Sequence, residues 1–118
     1  MTENDIINRA ELAERLDRDF PLFTELTDLF FDDSLSLLKK IEDSISRGDS
    51  DALRKTSHTL KGAVANFSAT RAYDAAFALE TVGKENRMSE AEEKFSALKK
   101  EIENLTAEMK SILKQGSF

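Results

Sequence analysis

Cysteine is absent from this sequence of 118 residues, and histidine occurs only once, as His58. The absence of cysteine excludes a disulfide framework, a thiolate metal site and a cysteine nucleophile. A single histidine without cysteine is also a poor basis for a zinc centre. We therefore expect neither a metal ion nor a cofactor.

Glycine and proline are scarce as well, with four residues and one residue respectively. Both interrupt helices, whereas alanine, leucine, glutamate and lysine favour them and are abundant here. No segment shows the alternating pattern of a strand. The length is that of one domain with a sizeable core, so we expect residues 1–118 to form a single domain.

Long apolar runs are also missing, and the N-terminal stretch MTENDIINRAELAE lacks the basic and apolar regions of a signal peptide. We therefore expect no membrane partner and a cytoplasmic location. The formal net charge is −6. Because a phosphate backbone demands a basic face, nucleic acid is not an expected partner either.

Apolar residues recur at helical spacing in four segments. The stripes run from Phe23 to Ile41, from Leu53 to Phe67, from Ala72 to Leu79 and from Ala91 to Ile112. A short first helix follows Asn8, Pro21 and Gly48 suit the two ends of the second helix, and Ser89 is the predicted cap of the fifth and last. The sequence predicts an all-α fold, an antiparallel up-down-up-down four-helix bundle with a short extra N-terminal helix.

His58 lies on the third of these helices, roughly 140° from the centre of its apolar side, so we expect the imidazole to face solvent. Gly62 and Ala65 follow it by one and two turns, which leaves the adjoining surface almost without side chains. A glycine inside a helix costs on the order of 1 kcal/mol relative to alanine. Bare helix beside an exposed imidazole suits a flat partner that brings a reactive atom to the ring.

Three cations surround His58 in the sequence: Arg54, Lys55 and Lys61, with Asp51 the only acid on that turn. In a chain of negative net charge this is a local reversal of sign. We expect Arg54 and Lys55 to attract an acidic partner, and Lys61 to stabilise a dianionic phosphoryl group on the ring. Taken one by one, each cation is better explained by an ordinary solvated helix face, and only their grouping around His58 supports this role.

Glu80 is the candidate to orient the imidazole. A neutral imidazole is a good nucleophile near pH 7, and the group that holds one ring nitrogen decides which nitrogen attacks. If the third and fourth helices turn at Ser68 and Ala69, His58 and Glu80 are about level. Glu80 would then accept the Nδ1 hydrogen and leave Nε2 to attack, although an ordinary surface charge explains Glu80 equally well.

The stretch HTLKGAVANFSA resembles the His-x-x-Lys-Gly signature of histidine-containing phosphotransfer (HPt) domains. LDRDFPLFTELTDLFFDD is similar to the entry into the second helix of that family, and AFALE to a leucine-glutamate pair in the fourth. The resemblance implies a four-helix bundle that carries a phosphoryl group, with His58 as acceptor, Lys61 as the basic neighbour, Gly62 as the gap in the surface and Glu80 as the contact of the histidine. One departure is Ser68, where the family usually has glycine.

The function that we expect is that of a phosphorelay carrier in two-component signal transduction. It would accept a phosphoryl group on His58 from a receiver aspartate or a sensor histidine kinase and pass it to a response-regulator receiver domain. Arg54, Lys55 and Ala65 are the predicted partner-binding residues, and a monomer is expected. No glycine-rich phosphate loop is present, so we expect no kinase activity. The alternatives are a helical adaptor that binds a partner through the same face without chemistry, and an acid-base enzyme built on His58 and Glu80.

Overall fold

The computed structural model of the protein describes residues 5–118, in which all regular structure is helical. Helix α1 spans Arg9–Arg15, α2 Phe20–Ser46, α3 Ser50–Ala65, α4 Thr70–Lys84 and α5 Ala91–Gln115, with one 3₁₀ turn at Met88–Glu90. No strand occurs in this part of the chain, and the predicted all-α fold is confirmed. None of the helices within residues 5–118 has the length and apolarity that are needed to cross a membrane.

The four long helices contact one another in a closed ring: α2 with α3, α3 with α4, α4 with α5, and α5 with α2. Gly83 near the end of α4 lies against Ser50 and Arg54 at the start of α3, so these two helices are antiparallel. Arg71 near the start of α4 pairs with Glu101 of α5, which again fits opposite directions. Buried apolar side chains from all five helices form one continuous core.

Local chemistry fixes most helix ends. Asn8, Asp19 and Asp49 cap α1, α2 and α3, each accepting a hydrogen bond from the backbone N–H three residues further on. Gly48, with φ of +64°, follows α2 in the left-handed conformation that glycine favours. The predicted cap Ser89 is wrong, because the 3₁₀ turn takes up this segment and Glu90 precedes α5 without a side-chain cap hydrogen bond.

The buried face of α2 contains small polar residues that the apolar pattern does not reveal. Thr27, Ser34 and Ser44 are buried on the same face of α2 as the apolar positions Phe23, Phe30 and Ile41. The Ser44 hydroxyl donates to the Ile41 carbonyl at 2.7 Å and the Ser34 hydroxyl to that of Phe31 at 3.3 Å, so these two polar groups are satisfied within the helix. Their short side chains leave room for the neighbouring helices.

The turn between α3 and α4 is held by α1. Ser68 has φ of +54°, a left-handed conformation that glycine adopts more easily, which accounts for the glycine that the HPt signature usually has here. Two hydrogen bonds to α1 hold the serine: its carbonyl accepts from the Asn8 N–H at 3.0 Å, and its hydroxyl donates to Glu11 Oε1 at 2.9 Å. The departure from glycine is thereby accommodated, and the turn that sets the register of α3 against α4 is tied down.

Candidate functional site

The middle of α3 presents His58 to solvent. Leu53, Leu60 and Val64 are buried on the opposite side of the helix, and Ser57 is the residue of its turn that enters the core. The His58 side chain is 64% exposed, on the side of the helix that the apolar pattern predicts. The ring is therefore accessible to a macromolecular partner rather than enclosed in a pocket.

One ring nitrogen of His58 is engaged by α4. Nδ1 lies 3.1 Å from Oε2 of Glu80, which belongs to the antiparallel neighbouring helix at the same level of the bundle. Because a carboxylate only accepts hydrogen bonds, the neutral imidazole in this contact carries its hydrogen on Nδ1. Nε2 is then the nitrogen with an available lone pair.

Glu80 is shared between His58 and Lys61. The Lys61 ammonium lies 2.8 Å from Oε1, while Oε2 faces the imidazole, so each carboxylate oxygen has its own partner. Burial by itself would raise the pKa of the Glu80 carboxyl, but Lys61 and His58 together hold that pKa below its ordinary value. The same hydrogen bond to Glu80 raises the pKa of the Lys61 ammonium. Both groups are therefore ionised near neutral pH, and the carboxylate is a constant acceptor for the Nδ1 hydrogen.

Lys61 does not extend into solvent as a free cation beside the imidazole would. Its side chain is only 16% exposed, and its ammonium lies over the ring of Phe77 at 4.9 Å and that of Tyr73 at 5.8 Å from the ring centres. Lys61 thus reaches across to α4 and contacts His58 only through Glu80. The charge that we expected next to the ring is already partnered in this state.

Gly62 lies on open surface one turn beyond His58. A Cβ atom built on it would meet nothing within 4 Å, whereas one on Gly83 would come within 2.7 Å of the Arg54 backbone nitrogen. Close helix packing therefore explains Gly83 but not Gly62. Ala65, a further turn along, is partly buried, and the surface from the imidazole towards the end of α3 carries little side-chain bulk.

The expected reversal of charge around His58 is weaker than the sequence suggests. Asp51 binds both cations of the preceding turn, with Arg54 at 3.1 Å and Lys55 at 3.0 Å. The hydrogen bond from Lys55, followed by that from Arg54, lowers the pKa of the Asp51 carboxyl. With Glu80 paired to Lys61, three cations and two carboxylates surround the imidazole. The excess is therefore one positive charge, whereas the sequence indicated three cations with Asp51 as the only acid nearby.

Phe77 is the residue near the site that our sequence reasoning missed. It is 50% exposed, which is unusual for phenylalanine, and it faces Lys61. Counting residues from the turn could have found it. Lys61 is seven residues before Ser68 and Phe77 is eight after Ala69, so the two are about level by the same count that places Glu80 level with His58.

Within residues 5–118, no group of three His, Asp or Glu side chains is arranged as metal ligands would be.

Comparison with known proteins places the chain in a family. A crystal structure of histidine-containing phosphotransfer protein B (HptB) from Pseudomonas aeruginosa PAO1 is similar to the chain, with a TM-score of 0.88 and 21% identity over 95% of this chain and 97% of that chain. This likeness concerns the fold. No curated protein sequence matches the chain significantly. The sequence profile of the Hpt domain matches residues 25–108, a range that includes His58 and extends from α2 to α5, and the chain therefore belongs to the Hpt domain family.

Proposed function

We propose that the protein is a phosphoryl carrier of a phosphorelay and that His58 Nε2 is the atom that carries the group. The observation that supports this most strongly is the contact between His58 Nδ1 and Glu80 Oε2 at 3.1 Å on an exposed ring. It fixes the tautomer that a nucleophilic Nε2 requires. Membership in the Hpt domain family supports a role in histidine phosphotransfer independently of this geometry.

In the proposed step, the Nε2 lone pair attacks the phosphorus of an aspartyl phosphate on a receiver domain. The N–P bond forms as the P–O bond to the aspartate breaks, and the aspartate leaves as a carboxylate. The ring then carries a positive charge while Nδ1 keeps its hydrogen, and the Glu80 carboxylate stabilises that charge. Transfer to a second receiver reverses the step, and a phosphorylated sensor histidine kinase is the alternative donor.

The other predicted residues have supporting roles in this proposal. Lys61 neutralises part of the phosphoryl charge, and Gly62 lets the receiver backbone approach the ring. Arg54, Lys55 and Ala65 form the face on which an acidic receiver docks. The partner supplies the metal ion and most of the electrostatic stabilisation that phosphoryl transfer needs.

We further propose that residues 1–118 act as a single domain and as a monomer, since the apolar stripes satisfy one another and the acceptor face must stay open. No glycine-rich phosphate loop occurs in the sequence, so the carrier would depend on its partners for ATP chemistry. The cytoplasm is the compartment that we propose, because the relay draws its phosphoryl groups from ATP there.

The test uses radiolabelled phosphoramidate, a small donor that needs no docking surface. Wild-type protein should gain an acid-labile, alkali-stable phosphate, and His58→Gln should gain none. Because His58 is the sole histidine, label of this stability has no other histidine to reside on. Label on His58→Gln equal to that of the wild type would refute the proposal and favour the non-catalytic adaptor.

A further inference from the structure

Lys61 occupies a position that its expected role does not explain. A lysine meant to meet a phosphoryl group on a neighbouring exposed ring would extend into solvent beside that ring. Here the Lys61 side chain is largely covered, with its ammonium 2.8 Å from Glu80 and 4.9 Å from the centre of the Phe77 ring. Cations attract the faces of aromatic rings, and Phe77 supplies such a face on the solvent side of α4.

The two other cations near His58 behave differently. The side chains of Lys55 and Arg54 are 66% and 39% exposed, and they pair with Asp51 on their own helix. Only Lys61 is drawn across to the neighbouring helix and partly covered there. Lys61 differs from these two cations because α4 offers it a binding site, in which Glu80 and Phe77 lie one turn apart.

Lys61 follows His58 by three residues, so the two side chains leave the helix as neighbours and the ammonium can reach the imidazole. To meet a phosphoryl group on His58 Nε2, however, the ammonium must give up at least part of its contact with the Phe77 ring. We propose that Phe77 is a positioning residue that holds the Lys61 ammonium on Glu80 in the unphosphorylated protein, in competition with a phosphoryl group on His58.

This inference rests on the proposed role of His58 as the acceptor. Its consequence is that Phe77 slows phosphorylation while keeping Glu80 neutralised between transfers. A cation over a partly exposed aromatic ring is stabilised to an extent that corresponds to about a two- to five-fold change in an equilibrium or rate. Removing the aromatic face should shift the equilibrium towards Lys61 released from Glu80 by that factor.

The test compares Phe77→Leu, which keeps an apolar side chain without the aromatic face, with Phe77→Tyr, which keeps the face. Two rates are measured: acylation of the Lys61 amine by a small reagent, read by mass spectrometry of the modified peptide, and phosphorylation of His58 by phosphoramidate. We expect both to rise about two- to five-fold in Phe77→Leu and to stay at the wild-type value in Phe77→Tyr.

The chain offers a matched control in Phe31, over whose ring the Lys110 ammonium lies at 5.6 Å, between α2 and α5. Phe31→Leu should accelerate acylation of Lys110 but leave the phosphorylation of His58 unchanged. In a Lys61→Met background, Phe77→Leu should no longer accelerate phosphorylation, because the ammonium for which Phe77 and the phosphoryl group compete is absent.

Unchanged acylation of Lys61 in Phe77→Leu would overturn the inference, and so would an equal acceleration of phosphorylation with and without Lys61. The inference also fails if Phe77→Tyr behaves like Phe77→Leu. Failure of the proposed function is a separate result: wild-type protein would take no phosphate on His58, while the acylation rates would still decide whether Phe77 holds Lys61.

Discussion

Gly62 offers the sharpest test of the reasoning, because stability and function should respond to its substitution in opposite directions. It lies inside α3 on open surface, with nothing within 4 Å of an added Cβ atom. Alanine in an exposed helix interior is more favourable than glycine by about 1 kcal/mol. Gly62→Ala should therefore increase the free energy of unfolding by about that amount and raise Tm by roughly 4 °C.

Function should decline with the size of the new side chain. If a receiver must approach the bare backbone next to His58, transfer from the phosphorylated protein to a receiver should slow in Gly62→Ala and slow further in Gly62→Gln. Labelling by phosphoramidate should stay at the wild-type rate in both, because the small donor needs no flat surface.

The assays are urea unfolding followed by circular dichroism at the helix band, and phosphoryl transfer followed by loss of label from the carrier. Gly83→Ala is the control for stability: its Cβ would lie 2.7 Å from Arg54 N and 2.8 Å from Ser50 O, which are backbone atoms that no rotamer change can move. We expect it to destabilise the fold by about 1–3 kcal/mol. Receiver transfer by Gly62→Gln at the wild-type rate would refute our explanation of this glycine, and a loss of stability in Gly62→Ala would refute its placement.

Three further predictions concern other parts of the structure. The pKa of Glu80 in the folded protein lies below its reference value of 4.5. The stability that the Glu80 carboxylate contributes to the fold is therefore complete above pH 4.5 and is lost as the pH falls through the folded pKa, so the difference in unfolding free energy between wild type and Glu80→Gln should shrink over that range. Asp51→Asn frees Arg54 and Lys55, so association with an acidic receiver should accelerate at low salt only, and a gain that persists at high salt would contradict this. The buried Thr27 hydroxyl has no hydrogen-bond partner within residues 5–118, so Thr27→Val should raise the unfolding free energy by up to about 1 kcal/mol in urea titrations, and a loss would show that the hydroxyl is satisfied.

The charges around His58 show where sequence reasoning stopped. Helical spacing predicts that Arg54, Lys55 and Lys61 lie on the turns next to His58, but it does not predict which carboxylates they pair with. A lysine side chain has several free torsions and selects among the partners that other helices present, so its direction depends on the packed bundle. Asp51 pairs with two of the cations and Glu80 with the third, so that the predicted reversal of charge is reduced to an excess of one positive charge.

The sequence by itself determined the helices, most of their ends and the side of α3 on which His58 lies, because these depend on the angle of each residue about its own helix axis and on caps within a few residues. Counting from the turn at Ser68 also placed Glu80 level with His58. The roles of these residues in transfer stay predictions until they are measured.

Only the tertiary structure decided what depends on how one helix is rotated against another. The Glu80 carboxylate between His58 and Lys61, the Phe77 ring under the ammonium, and the close approach of α4 to α3 at Gly83 are of this kind. No periodicity in one helix specifies the rotation of its neighbour, since that rotation is set by the interlocking of all the buried side chains at once.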